Sequence, residues 1–221
     1  MPDRLENKRT DHERQKQPRT RRIAIDIVLL PPEKVAQAAI RLNRSLLESG
    51  GEGFELGGDD RIPHVSLAMG CVAEEKLPVM ENLLEEIASE FPPVELLFEG
   101  VHIAINSVGE RISSMIVSPT PTLQAIHEAV MRRVASHFAY DATAEAFIGY
   151  PEVKPTSVRW VNHYADAAAF DNFFPHITLG VGLLDEATLL PAPDIAERLA
   201  LCHLGNYCTC RKILLETTLR G

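Results

Sequence analysis

Residues 63–70 of the chain read PHVSLAMG, and residues 175–182 repeat the pattern as PHITLGVG. Both copies contain a proline, a histidine, a β-branched residue, a residue with a hydroxyl group and a leucine, in that order, and both end in glycine. The two histidines, His64 and His176, are 112 positions apart. This spacing is close to half of the chain beyond residue 22, so we predict two similar lobes that each supply one such strand to a shared site.

Each copy has the composition of a β-strand, because β-branched and apolar residues follow a proline that is suited only to the start of a strand. Side chains alternate across a strand, so His64 and Ser66 face one side while Val65 faces the other. The same alternation puts His176 and Thr178 on one face. If the two lobes meet about a pseudo-two-fold axis, we expect two imidazoles and two hydroxyls to converge in one cleft.

The predicted cluster has the groups needed to cleave or transfer a phosphodiester without a metal. One imidazole can accept a proton near neutral pH while the other donates one. The hydroxyls of Ser66 and Thr178 can hold the non-bridging phosphate oxygens. A metal site built on both histidines is the rival interpretation, but neither motif offers a further Asp, Glu or His ligand at a suitable spacing. We therefore expect no metal and no other cofactor.

Charge is distributed unevenly along the chain. The net charge is −9, yet residues 1–22 contain eight Lys or Arg and four Asp or Glu, so this segment carries +4 and the remainder −13. We predict a disordered charged tail over residues 1–22 and a single folded domain over residues 23–221. An acidic body argues against a general polynucleotide binder and suits a small nucleotide-like substrate. Contact between RNA and the basic tail is left open as an alternative.

No apolar run approaches the roughly 18–20 residues needed to span a bilayer, and the N-terminus is polar, so we expect a cytoplasmic protein without membrane contact. The four cysteines, Cys71, Cys202, Cys208 and Cys210, lack the spacing of a zinc site. We expect them to be free and mostly buried thiols. We also expect the protein to be a monomer.

Hydrophobic periodicity and breaker residues predict the elements around the motifs. A glycine-rich loop, residues 48–61, is interpreted either as a lid in which Phe54 covers a base or as an ordinary connection. Phe173 and Phe174, just before the second motif, are candidates for stacking on a base, with at least one of them packed in the core. Helices are predicted over residues 33–47, 73–90, 120–138, 156–164 and from 185 or 194 to 200, and strands over residues 23–30, 94–106, 111–118, 201–204 and 208–217. Each motif strand is thus followed by a helix and a strand pair, which independently indicates a duplication.

The segments His64-Val65-Ser66-Leu67 and His176-Ile177-Thr178-Leu179 resemble the paired signature motifs of the 2H phosphoesterases, a superfamily that includes bacterial 2'-5' RNA ligase-like proteins and cyclic nucleotide phosphodiesterases. The element order resembles that of the superfamily from about residue 23 to residue 217. The resemblance implies a bilobal α+β fold in which two antiparallel sheets line a central cleft and helices pack outside. Many ligase-like members carry a basic residue shortly after the second motif, where this chain has Gly180-Val181-Gly182.

The resemblance also implies metal-independent chemistry on RNA ends or small nucleotides, often 2',3'-cyclic phosphates. His64 and His176 match the catalytic residues of the superfamily, and Ser66 and Thr178 match its phosphate-binding residues. Our first hypothesis is hydrolysis of a cyclic phosphodiester, in which Phe174 contacts the nucleobase of the substrate. Either histidine can be the general base, and the other is then the general acid. The alternatives are 2'-5' RNA ligation or 3'-end processing, and a non-catalytic module that binds nucleotides.

Overall fold

The structure, a computed structural model, describes residues 21–58, 61–184 and 189–221. Most of the predicted tail lies outside the described residues, whereas Arg21 and Arg22 belong to the folded body. The helices are α1 (Glu33–Glu48), α2 (Leu77–Glu90), α3 (Pro121–Val134) and α4 (Pro155–Ala168). The strands are β1 (Arg22–Leu30), β2 (Val65–Ala73), β3 (Val94–Leu96), β4 (Phe98–Ile105), β5 (Arg111–Val117), β6 (His176–Val181), β7 (Asp194–Ala196), β8 (Arg198–Leu204) and β9 (Cys210–Thr218).

The strands form two larger sheets and one small one, and every strand pairing in them is antiparallel. One sheet has the order β2-β1-β8-β9 and contains the first motif, the second has the order β4-β5-β6 and contains the second motif, and β3 pairs with β7. The motif strands β2 and β6 contact each other although they belong to different sheets. The α+β architecture predicted from the paired motifs is thus confirmed.

The strand pair that follows each motif along the chain belongs to the sheet that contains the other motif. The β4–β5 pair comes after the first motif, yet it joins β6, which carries the second motif. Conversely, β8 and β9 come after the second motif but extend the sheet of β1 and β2. Each sheet therefore contains segments from both halves of the chain, which the sequence repeat alone does not indicate.

Helices cover the motif strands from outside. α1 packs against β6, while α3 and α4 pack against β2. α3 starts as predicted, because Pro121 occupies its first turn and the Thr120 hydroxyl accepts a hydrogen bond from the Leu123 N–H at 3.3 Å. Of the helices within the described ranges, none is long and apolar enough to cross a membrane.

The helix predicted after the second motif is wrong over the residues that the structure describes. Residues 185–188 lie outside the described residues, but Asp194 begins β7 and Arg198 begins β8. Pro191 and Pro193 lie inside the longer predicted helix, 185–200, where each would remove a backbone donor that a helix interior needs. The backbone groups of β7 are instead used in pairing with β3.

The described part of the glycine-rich loop is held in place, so the interpretation of Phe54 as part of a lid is wrong. Phe54 is buried and its ring centroid lies 5.6 Å from that of Tyr207, which places it in the core. Glu52 exchanges two backbone hydrogen bonds with Val181, at 2.7 and 3.2 Å. The loop thereby continues the pairing at the edge of β6.

A buried asparagine connects α1 and this loop to the strand of the second motif. The Asn43 Nδ2 atom donates hydrogen bonds to the carbonyl oxygens of Phe54 at 2.9 Å and Leu179 at 2.7 Å. Its Oδ1 atom accepts one from the Leu56 N–H at 2.7 Å. One side chain therefore satisfies three backbone groups, one of them in β6, the strand that begins with His176.

We expect Asn43→Ala to lower the free energy of unfolding by about 3–5 kcal/mol, because each buried backbone group left without a partner costs about 1–3 kcal/mol. Urea denaturation followed by circular dichroism measures this loss. Gln37→Ala is the matched control on α1, since its amide bonds only to the exposed Glu33, and it should change stability by less than about 0.5 kcal/mol. Equal losses in the two variants would contradict the bridging role.

Candidate active site

His64 immediately precedes β2, and a backbone carbonyl holds its ring. The Nδ1 atom lies 2.7 Å from the carbonyl oxygen of Ile62, and because a carbonyl can only accept, Nδ1 carries the hydrogen. In the neutral ring, the lone pair is then on Nε2. This atom lies 3.6 Å from Oδ2 of Asp26, and the His64 side chain is 13% exposed. The imidazole is thus nearly enclosed but still reachable from solvent.

His176, the first residue of β6, repeats this arrangement. Its Nδ1 atom lies 2.7 Å from the carbonyl oxygen of Phe174. In both copies the accepting carbonyl belongs to the residue before the motif proline. Proline restricts the residue before it to extended backbone, so the position of this carbonyl relative to the following histidine is fixed locally. Both rings therefore carry hydrogen on Nδ1 and leave Nε2 for chemistry.

The two imidazoles interact, and their surroundings favour the uncharged forms. Burial lowers the pKa of His64 to about 4, the bond with Ile62 opposes this shift, and the charge of His176 adds to it. Burial also lowers the pKa of His176, with the bond to Phe174 opposing and the charge of His102 adding. The structure therefore brings the two predicted histidines into one electrostatic environment.

Ser66 faces the same side of β2 as His64, as predicted, but its hydroxyl hydrogen bonds to another protein group. Its Oγ atom lies 2.6 Å from Oδ2 of Asp26 and donates to this carboxyl. Asp26 lies in the middle of β1 and is completely buried. Burial raises the pKa of Asp26 well above its usual value, and hydrogen bonds from the Ser66 hydroxyl and the Ala68 backbone N–H counteract part of the rise.

Thr178 has different neighbours from Ser66. In the register of the three-stranded sheet, Thr178 lies opposite Ser114 on β5, and Ser114 lies opposite His102 on β4. Residues directly opposite each other in antiparallel strands place their side chains on the same face. The second motif is therefore flanked by a hydroxyl and an exposed imidazole, where the first motif has a carboxyl group.

The two phenylalanines before the second motif have separate environments. Phe173 is buried and stacks on His127, with ring centroids 3.8 Å apart. Phe174 is 51% exposed and contacts the edge of His102, with centroids 5.6 Å apart, and lies 6.1 Å from His176. Of the two aromatic candidates, Phe174 is thus the one that offers an accessible ring beside a motif histidine.

The glycines that follow the second motif are explained by packing against α1. Gly180 and Gly182 have φ values of +146° and +141°. A Cβ atom on Gly182 would lie 2.9 Å from a methyl group of Leu46 and from the Cα atom of Gly51. Side chains are excluded from these two positions by contact with the helix and the preceding loop, so a basic residue cannot replace either glycine without displacing them.

All four cysteines are free and buried, as predicted. Among the described residues, one group has the composition of a metal site, because donor atoms of Asp26, His64 and Cys210 lie within 4.8 Å of one another. Burial raises the pKa of the Cys210 thiol well above its usual value. Asp26 accepts a hydrogen bond from Ser66, and His64 is a motif residue, so this group overlaps the candidate site. That the site works without a metal stays a prediction.

A separate surface cavity of about 380 Å³ does not contain either motif histidine. It is lined by Arg22, Lys76 and His137 among others. Arg22 is paired with Asp141 there, so its charge is compensated within the protein. The arrangement of functional groups, rather than enclosed volume, therefore identifies the candidate site.

Two residues of the site were not selected from the sequence. Asp26 is the one charged residue in the apolar run of residues 23–30, and a carboxyl in such a strand is itself a signal of a special environment. His102 has no sequence signal that separates it from an ordinary packed or surface histidine. Its place beside Ser114 and Phe174 depends on strand register, which the sequence does not reveal.

Comparison with known proteins relates the fold to one superfamily. A model of the 2'-5' RNA ligase superfamily matches residues 31–207. The chain matches no curated protein. Among solved structures, TT0787 of Thermus thermophilus is 18% identical, with a TM-score of 0.55 over 90% of this chain and 99% of that one.

Crystal structures of E. coli LigT have a fold similar to that of this chain. In complex with 3'-AMP, it is 15% identical, with a TM-score of 0.53 over 91% of this chain and 99% of that one. In complex with NADP+, it is 15% identical, with a TM-score of 0.54 over 90% of this chain and 98% of that one. At these identities the likeness shows the fold alone. Because the superfamily model spans most of the sequence and both motifs, the chain belongs to the 2'-5' RNA ligase superfamily, the 2H phosphoesterases.

Proposed function

We propose that the protein is a metal-independent phosphodiesterase that hydrolyses 2',3'-cyclic phosphates of nucleotides or RNA ends, with His64 and His176 as its acid–base pair. One observation carries the proposal. Each motif histidine donates its Nδ1 hydrogen to the carbonyl two residues earlier, on strands β2 and β6 that contact each other. Both rings thereby leave Nε2 free of the backbone bond, and in the proposal these two atoms act on one substrate.

The reaction requires one proton acceptor and one proton donor. A water oxygen forms a bond to phosphorus, and the bond from phosphorus to one ribose oxygen breaks. One Nε2 atom takes the proton of the attacking water, and the other delivers a proton to the departing ribose oxygen. General acid–base catalysis of this kind contributes about 10²–10⁴-fold for each group.

The hydroxyls have unequal roles in this proposal. Thr178 contacts a non-bridging phosphate oxygen as charge accumulates there. Ser66 reaches the phosphate only when Asp26 is protonated, because a carboxylate takes the Ser66 hydrogen and a protonated carboxyl can donate to the Ser66 oxygen instead. The phosphate contact therefore depends more on the second motif than on the first.

The exposed ring of Phe174 provides a surface on which a base can stack beside His176. E. coli LigT, which has a similar fold, forms complexes with 3'-AMP and with NADP+, and both ligands are nucleotides that carry phosphate on a ribose. These observations support a nucleotide or a single RNA end as the substrate.

A second candidate is formation of a 2'-5' linkage, because the matching superfamily is described as 2'-5' RNA ligases. The same groups would then act in reverse, with a ribose 2'-hydroxyl in place of water. Product analysis separates the two reactions, since hydrolysis yields a phosphomonoester and ligation yields a longer RNA. Tight nucleotide binding without either product would support the non-catalytic alternative.

We expect His64→Ala and His176→Ala each to lower kcat/KM on 2',3'-cyclic nucleotides by at least about 10²-fold. The substrates are the four 2',3'-cyclic mononucleotides and an RNA with a 2',3'-cyclic end, assayed in EDTA by chromatography. His137→Ala is the matched control, because this histidine lies in the separate cavity. Full activity in both motif variants would refute the proposal, as would activity of the wild type that depends on added metal.

We expect Thr178→Val, which keeps the shape of the side chain, to lower kcat by about 10–100-fold through loss of a hydroxyl donor to the phosphate. Thr178→Ser should retain most of the activity, because it keeps the hydroxyl. Steady-state kinetics on the preferred cyclic nucleotide measure both variants. Equal activity of the valine and serine variants would show that the hydroxyl does not take part.

We expect Phe174→Ala to raise KM for cyclic nucleotides about 10-fold with a smaller effect on kcat, because stacking of a base on an aromatic ring contributes about 1–3 kcal/mol. Trp160→Ala removes another exposed aromatic ring, on α4, and serves as the control. An unchanged KM in the Phe174 variant would place the base elsewhere.

A further inference from the structure

The buried carboxyl of Asp26 lies next to the reactive nitrogen of His64 and is not used by the two-histidine scheme. Its Oδ2 atom lies 3.6 Å from His64 Nε2 and 2.6 Å from Ser66 Oγ. Its Oδ1 atom has no hydrogen-bond partner within the part of the chain that the structure describes. Unlike a carboxyl that orients a histidine through Nδ1, Asp26 faces the nitrogen that would meet the substrate.

The surroundings of Asp26 make an isolated negative charge unfavourable. A small apolar cluster of Val28, Leu30, Ala200, Cys202 and Cys210 lies along the same part of the sheet. The titratable groups that the packed elements bring near Asp26 are the imidazole of His64 before β2, Tyr164 of α4, Cys202 of β8, Cys208 and Cys210. Of these groups, only the imidazole can supply a positive charge.

We infer that Asp26 and His64 hold one proton between them near neutral pH, and that this proton makes His64 the general acid and leaves His176 as the base. The inference rests on the proposed function. A buried carboxylate beside a neutral imidazole would be uncompensated, and a neutral carboxyl beside an imidazolium would be as well. The two arrangements with one proton are both neutral overall, and at 3.6 Å the two groups titrate as a pair.

The directions of the individual shifts agree with this proton count. Burial raises the pKa of Asp26, which favours the protonated carboxyl, and burial lowers the pKa of His64, which favours the neutral ring. The pair therefore resists loss of its last proton and also resists gain of a second one. His64 can pass this proton from Nε2 to the departing ribose oxygen, after which the pair is reprotonated from solvent.

His176 has no comparable neighbour among the described residues. The residues across from the second motif are Ser114 and the exposed His102, whose charge lowers the pKa of His176 after the larger effect of burial. Its Nδ1 hydrogen is bound to the carbonyl of Phe174, so the lone pair on Nε2 can accept the proton of water. The two motifs thus have the same imidazole geometry, but only His64 has a neighbouring carboxyl with which it can share a proton.

A direct test counts the proton in the wild-type protein without any measurement of activity. With ¹³C-labelled aspartate and ¹⁵N-labelled histidine, NMR spectra near pH 7 should show either a protonated Asp26 carboxyl or a His64 imidazolium, assigned through Asp26→Asn and His64→Ala. An ionised carboxyl next to a neutral ring, or protons on both groups, would overturn the inference. This result is independent of whether the protein hydrolyses cyclic phosphates.

Kinetic measurements then test which histidine is the general acid. In the wild type, the general acid is lost only as pH rises through the raised pKa of the pair, whereas in Asp26→Asn the acid is lost as pH rises through the lowered pKa of His64. We expect the alkaline limb of the pH profile of kcat/KM to move down by at least about one pH unit, with activity at pH 7.5 reduced about 10–100-fold. The acidic limb, set by His176, should not move.

Cys202→Ala, a buried change at the position paired with Asp26 on β8 that adds no hydrogen-bond donor, is the control for disturbance of the sheet and should leave both limbs in place. A shift of the acidic limb in Asp26→Asn, or a uniform loss of activity with both limbs unchanged, would overturn the assignment of His64 as acid. If the wild type cleaves neither the cyclic nucleotides nor the cyclic RNA end, the proposed function fails, and the NMR result still decides the proton count.

Discussion

The geometry of the whole site depends on one hydrogen bond that occurs twice. Each motif histidine donates Nδ1–H to the carbonyl of the residue that precedes the motif proline. This bond fixes the tautomer of the ring as well as its orientation, because a carbonyl cannot donate. The proline has a chemical consequence as well as a structural one, since it restricts the backbone that carries this carbonyl. The pattern Pro-His-x-Ser/Thr, together with the residue before it, therefore contains the groups that orient its own imidazole.

Two local units of this kind form a shared site only if β2 and β6 stay in contact. The sheet topology favours this contact, because each of the two larger sheets contains strands from both halves of the chain. Neither sheet can form from one half of the chain. His127 adds a further connection, because its Nδ1 atom donates to the carbonyl of Leu67 in β2 at 2.8 Å and its Nε2 atom accepts from the Phe170 N–H at 2.9 Å. Burial lowers the pKa of His127, which is consistent with the neutral tautomer that both bonds require.

Alternation along a strand and repetition of the motif were enough to select the two histidines and the hydroxyls beside them as candidates, and the fold class followed from the resemblance to the 2H phosphoesterases. The register between strands was not predictable, so Ser114 and His102 could not be placed beside Thr178. The prediction of a helix up to residue 200 was wrong because pairing with β3 over residues 194–196 outweighed the apolar pattern, and because the longer version, 185–200, contains two interior prolines. The sequence could not decide between a lid and an ordinary connection for the loop of Phe54, because the pairing of Glu52 with Val181 is a contact between distant segments.

Asp26 shows how a symmetric motif can support an asymmetric reaction. Hydrolysis needs a donor and an acceptor, and two identical imidazoles in identical surroundings would have equal proton affinity. Equal sites would place a single proton on either ring with equal population, and only one of these two arrangements matches a given orientation of the substrate. A buried carboxyl beside only one ring removes this degeneracy, because it allows a proton on the His64 side while the charge of His102 opposes one on His176. The repeat thus explains how the two rings are positioned, and in the proposed mechanism Asp26 and His102, which lie outside the repeat, account for the difference between their protonation states.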